Sequence, residues 1–198
     1  LPAVGRPASL IRRHVALPGK AQSDIILGVP GPARQHPRFL AARLANNILG
    51  VFGMGGRIGH VVREKNGLAY YAGSTVSGGL GPGAWHAYAG VNPAKVPQAV
   101  DLMRREIAKF LGRRVTPAEL EDNQAQFIGR LPLSLETNEG VASTLSSMEL
   151  FDLGLDYMHR YPAMIRAITR DDVLETAREF LSAEQFALAV AGPEAAAA

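Results

Sequence analysis

Two periodicities alternate along the first half of the chain, and one of them dominates the second half. Ile11, His14 and Leu17 bracket a first strand. Ile25, Ile26, Leu27 and Val29 then concentrate apolar surface in Gln22–Val29, a second strand that Pro30-Gly31-Pro32 must stop. From Pro37 onward Leu40, Leu44 and Ile48 fall four apart, the spacing of one helix face. A glycine-rich stretch, Gly50 to Gly56, separates this helix from another over about Arg57–Lys65, with Ile58, Val61 and Val62 on its buried side. Residues 68–77 and 84–91 return to a period of two. Trp85, Ala87, Ala89 and Val91 alternate with His86 and Tyr88, and the glycines of Gly78–Gly83 predict a hairpin between the strands.

Beyond residue 92 the period is helical. Val96, Val100, Met103, Ile107 and Phe110 make one stripe, and Thr116-Pro117-Ala118-Glu119 has the form of a capping box with proline at the first helical position. Asn138 and Thr169 are expected to cap two further helices, and Gln185–Ala191 a final strand ended by Gly192-Pro193. Hairpin signals followed by a helical block predict an α+β fold: a two-layer sandwich of an antiparallel-dominated sheet with helices packed on one face. Residues 1–9 read as a Pro/Gly-rich linker from an upstream segment, 10–193 as a single domain, and 194–198 as a tail.

With 198 residues, 47% hydrophobic and 20% charged, the chain can bury a sizeable core in water. No apolar run reaches the roughly 20 residues of a membrane span. The net charge of +3 raises the question of nucleic acid, but its basic residues come as scattered pairs among acidic ones, without a recognition helix. With no cysteine, disulfides and thiolate metal sites are excluded. The chain starts at Leu1-Pro2 rather than Met, so the native start is expected upstream; a soluble bacterial-type protein, cytoplasmic or exported, is the expectation.

Gly50, Gly53, Gly55 and Gly56 suggest a phosphate loop, yet such a loop should follow a strand, and no lysine completes a Walker motif. None of the five histidines, His14, His36, His60, His86 and His159, forms a zinc-protease motif. His60 and Glu64 stand four apart with no third ligand near them in sequence, the mark of a solvated helical pair. In Arg63-Glu64-Lys65-Asn66-Gly67-Leu68-Ala69-Tyr70 the Asn-Gly pair should end a helix through left-handed positions and start a strand. Arg63 lies well round the helix from Ile58, so it reaches a rim rather than the core. From periodicity alone, Arg63 reads as surface charge helped by the helix dipole and Tyr70 as a half-buried strand aromatic. Strict alternation would turn Tyr71 to the face opposite Tyr70.

The segments "QSDIILGVPGP", "LANNILG" and above all "GGRIGHVVREKNGLAYYAG" resemble the C-terminal halves of the pitrilysin/insulinase/mitochondrial-processing-peptidase family of zinc metallopeptidases. The resemblance runs from about Arg12 to Pro193. It departs at Gly56, where the family often carries serine and a looser loop is therefore expected here, and at Ile58, which replaces a leucine.

That resemblance implies a substrate-binding, non-catalytic half of a zinc metalloendopeptidase that encloses unfolded peptides in a clamshell chamber. It implies that Arg63 and Tyr70 hydrogen-bond the substrate backbone, that Tyr70 also supports the oxyanion, and that Gly53, Gly55 and Gly56 guide substrate. No cofactor is expected in this chain, with zinc on the N-terminal half or a partner chain. The implied partners are that zinc-binding domain or a homologous subunit, in a homo- or heterodimer, and a peptide. The alternative is a catalytically inactive family member acting as an assembly (core) subunit.

Overall fold

A computed structural model describes residues 4–193. Its strands are β1 (Ile11–Ala16), β2 (Ser23–Pro30), β3 (Ala69–Gly78), β4 (Pro82–Val91) and β5 (Ala187–Gly192). They form one five-stranded sheet in the order β1-β5-β2-β4-β3. Three of its four pairings are antiparallel, and the first and last strands run parallel, Ile11 beside Ala187 and Ala16 beside Gly192. The helices are α1 (Phe39–Gly50), α2 (Phe52–Gly59), α3 (Val96–Gly112), α4 (Pro117–Leu133), α5 (Asn138–Leu150), α6 (Tyr157–Ala167) and α7 (Arg170–Phe180). This is the expected α+β sandwich.

The period-two pattern explains the layering. Ile25, Leu27 and Val29 on β2 and Trp85, Ala87, Ala89 and Val91 on β4 are all buried on the helix-covered face. Their neighbours Ile26, Tyr88 and His86 share the other face, where Ile26 pairs with Tyr88 and Gly28 with His86. Helix α1 docks on that core through Leu44, Ile48 and Leu49, each almost wholly buried; such a side chain contributes about 1.5–3 kcal/mol by leaving water. The α3 stripe Val100, Met103, Ile107 and Phe110 is buried beside it as its spacing requires.

Local chemistry sets the helix starts. Both Thr116 with Glu119 and Thr169 with Asp172 form reciprocal capping boxes. The cap of α5 falls one residue earlier than expected: the Thr137 hydroxyl accepts from the Gly140 N–H at 3.0 Å, and Asn138 is the first helical residue. Either side chain can cap, and the chain takes the one whose extended backbone, φ −114° and ψ 151°, leads into the helix. Residues 4–10 ahead of β1 are tied to the domain, with Arg6 donating to the Glu179 carbonyl at 2.5 Å and Gln185 to that of Ala8 at 3.3 Å. The expected tail at 194–198 lies outside the described residues.

Candidate functional site

The segment from Gly50 to Tyr71 departs from regular geometry at three successive points, and the site residues that the resemblance implies, Gly53, Gly55, Gly56, Arg63 and Tyr70, lie within it. At the first, α1 ends where Gly50 packs directly on β3; a Cβ there would stand 2.1 Å from the Ser74 nitrogen. Asn46 holds the same junction, donating to the Ser74 carbonyl at 3.3 Å and accepting from the Ser74 hydroxyl at 2.7 Å. The glycines then carry the chain through positive φ: Gly53 at 64°, Gly55 at 103° and Gly56 at 59°. Gly55 needs its missing side chain, since a Cβ would come within 2.2 Å of the Ala72 carbonyl oxygen. Gly56 is confined too, since a Cβ there would stand 2.6 Å from Gly50 N and Ile48 O. The loop is therefore packed at Gly56 rather than loosened: serine there would face both a positive φ and a backbone collision. Gly53 alone has open space around it.

The second departure is the turn that carries Arg63. From His60 to Lys65 the helix widens to π winding, a rare form that concentrates at functional sites. Val62 stays buried while Arg63 is half-buried at the rim. The stop is made by Gly67 alone in the left-handed region, φ 60°, with Asn66 at φ −110° and ψ −8°. Asn66 contributes through its side chain instead, which donates to the Val61 carbonyl at 2.7 Å. Gly67 N–H to Arg63 O at 2.9 Å and Leu68 N–H to Val62 O at 3.0 Å close the turn. Among the described residues no carboxylate pairs with the Arg63 guanidinium.

The third departure is a β-bulge. Ala69 pairs with Val91 and Tyr71 with Gly90, so Tyr70 has no partner on β4. The bulge removes the strict alternation on which an opposite-face Tyr71 depends. Tyr70 projects into solvent at 84% exposure. Tyr71 instead lies across Gly90, where a Cβ would touch its ring at 2.5 Å, and its hydroxyl donates to Asp24 Oδ1 at 2.5 Å. Lys20 and Gln22 bind the same carboxylate. Hydrogen bonds from Lys20 and then Tyr71 hold Asp24 below the usual carboxylate range, and the Asp24 bond, aided by partial burial, pushes the Tyr71 phenol up to about 12.

Downstream of the glycines, Arg57 forks onto Glu119, Nε and Nη2 each at 2.8 Å, and stacks over Phe110. Burial alone would raise the Glu119 pKa, but hydrogen bonds from Arg57 and from the Thr116 backbone outweigh it and hold the group ionised. One residue thus caps α4 and anchors the loop. The ties of Asp24 to Tyr71 and of Glu119 to Arg57 carry no local signal, since those partners lie 47 and 62 residues away. Gly53 and Gly56 line a cleft of about 740 Å³ between this loop and the starts of α4 and the end of α3; Arg63 and Tyr70 do not line it. His60 pairs with Glu64 at 2.8 Å. Among the described residues no group of three or more His, Asp or Glu could hold a metal ion, so the residues present do not fit a zinc centre. No helix among them is long and apolar enough to cross a membrane.

The sequence and the fold both have matches among other proteins. An uncharacterised zinc protease of Streptomyces coelicolor is 33% identical over 197 residues, 97% of this chain and 42% of its own length. The uncharacterised zinc protease YmxG of Bacillus subtilis is 29% identical over 172 residues, 87% of this chain and 42% of its own. The chain therefore spans less than half of the curated relatives it matches. A crystal structure of a peptidase M16 inactive domain from Pseudomonas fluorescens superposes over 100% of this chain and 48% of that one, with a TM-score of 0.85 and 25% identity. The family model of the peptidase M16 inactive domain covers residues 2–127, well over half of the sequence, and the chain belongs to that family.

Proposed function

We propose that this chain is the substrate-holding, non-catalytic half of a zinc metalloendopeptidase, closing against a zinc-binding half around an unfolded peptide. The observation that carries this reading is the bulge at Tyr70, next to the turn that carries Arg63. It leaves a phenol directed into solvent at the start of a strand whose next residue is tied down by Asp24. Two donors, a guanidinium with no described carboxylate partner and a phenol at 84% exposure, flank one rigid turn. Donors of this kind suit carbonyl oxygens of an extended backbone, and a phenol suits an oxygen that gains charge during acyl transfer. In this reading Tyr70 supports the oxyanion, Arg63 holds the peptide backbone, and Gly53 leaves room for the peptide while Gly55 and Gly56 set the course of the loop that guides it. The zinc and its ligands belong to the other half.

The test is Tyr70→Phe in the intact peptidase that contains this chain. Loss of one hydroxyl should lower kcat on an unstructured peptide by about 10²–10³, or ~2.7–4 kcal/mol, with stability unchanged. Arg63→Ala should act mainly on KM, and more strongly for longer peptides. A wild-type rate in Tyr70→Phe would sink the assignment. An intact protein that binds its partner but never cleaves peptide would favour the assembly-subunit alternative.

A further inference from the structure

A second cavity, of about 490 Å³, opens between α1, the β3 edge and helices α4 to α6, away from Arg63 and Tyr70. Its charge is one-sided. Arg34 from the loop before α1, Arg43 from α1 and Arg130 from α4 line it, and no aspartate or glutamate does. Elsewhere five described arginines, Arg38, Arg57, Arg105, Arg114 and Arg160, meet carboxylates, while Arg104, Arg170 and Arg178 are each held by a backbone carbonyl. The three cavity arginines meet no carboxylate among the described residues, so the balance of their charge is left to the cavity.

The cavity is also built rather than incidental. Arg34 is fixed by aromatic rings: its guanidinium carbon stands 4.7 Å from the Phe39 ring centre and 5.4 Å from that of Tyr157, and Nη2 donates to the Tyr157 hydroxyl at 2.9 Å. Tyr157 packs against Tyr161 with ring centres 5.8 Å apart. Tyr161 is only 7% exposed and lines the cavity, yet its phenol has no hydrogen-bond partner among the described residues. That oxygen is not sealed from solvent, so whatever enters the cavity can take its hydrogen bond. Arg43 and Arg34 both lie near enough to oppose the upward pull of burial on its pKa.

We infer that this cavity is an oxyanion-binding site, in which Arg34 and Arg43 supply the charge, Arg130 closes the rim and the Tyr161 hydroxyl donates to a carboxylate or phosphate oxygen. Such a group comes either from an acidic peptide segment or from a free anion, and both present the same two or three oxygens to a planar guanidinium. The site is independent of the peptidase reading, because its occupancy is measured without cleavage.

Calorimetric titration of the full chain with triglutamate and, separately, with inorganic phosphate tests it at low and high sodium chloride. One-to-one saturation by at least one probe is expected, weakening as salt rises. The exposed-rim double variant Arg43→Gln/Arg130→Gln should lose about tenfold or more, the worth of one charge-assisted hydrogen bond. Tyr161→Phe, which keeps the buried ring, should lose several-fold with an unchanged melting temperature. Saturation by triglutamate but not phosphate assigns the site to an acidic peptide, and the reverse assigns it to a free anion. Failure of both probes to saturate, or affinity retained in the double variant, overturns the proposal.

Discussion

The stretch from Gly50 to Tyr71 and the helices from Val96 to Phe180 are built from the same kinds of residue under opposite rules. In the helical half most local signals are obeyed: the α3 stripe is buried, threonines cap, and Glu119 and Asp172 complete their boxes. In the other region four glycines take positive φ, a helix widens to π winding, and a strand bulges. The difference is one of purpose. Regular geometry maximises internal pairing, whereas the irregular stretch leaves Tyr70 and Arg63 with unspent donors, at a cost the neighbouring core must offset.

The comparison breaks most severely at glycine. Gly55→Ala should lower the unfolding free energy by about 3 kcal/mol or more, because a strained φ and a collision with the Ala72 carbonyl act together. Gly112→Ala, at the end of α3 with open space around its Cβ, should be neutral or stabilise by up to about 1 kcal/mol. Urea denaturation of both variants decides it, and equal effects would erase the distinction between the two regions. A capping loss should be intermediate: Thr169→Ala removes the acceptor for Asp172 N–H and should cost about 1 kcal/mol in the same assay. A cost near zero would mean that α7 is held by packing alone.

The smallest effect is in the pH dependence. The Asp24 carboxyl is held below its ordinary value, so its contribution is complete above about 3.9 and fades as pH falls through the folded value. The Tyr71 phenol, raised to about 12, contributes fully below about 10 and loses that contribution as pH climbs through 12. Tyr71→Phe should therefore flatten the alkaline limb of the stability profile and slightly weaken the acid limb, and Asp24→Asn should flatten the acid limb. Both groups are partly exposed, so each change should be modest. If Tyr71→Phe leaves both limbs as they were, the phenol does not tie the bulge to β2.

What could be read from the sequence was what is encoded within one turn or one strand. The α3 stripe, the caps at Thr116 and Thr169, the alternation around Trp85 and the order of elements all follow from contacts a few residues apart. Arg63 and Tyr70 stand out as candidates only through resemblance, since their local spacing is ordinary. The bulge was hidden because it exists only in the pairing of β3 with β4, and without it Tyr70 and Tyr71 look interchangeable. The choice of Thr137 over Asn138 as a cap depends on which residue has the extended backbone. The ties from Tyr71 to Asp24 and from Arg57 to Glu119 depend on tertiary approach, and no spacing announces them.

One consequence concerns mechanical load. The first and last strands are parallel neighbours, so the chain enters beside Ala187 at one end of the pair and leaves at Gly192 at the other. A tug applied through the flanking segments pulls the two strands past each other lengthwise. All the bonds of that ladder are then strained together, in shear, instead of parting one by one as in a hairpin pulled from its open end. A domain threaded in this way should yield late and abruptly when stretched from its ends. Single-molecule pulling should record a higher rupture force along that axis than across the β3–β4 hairpin.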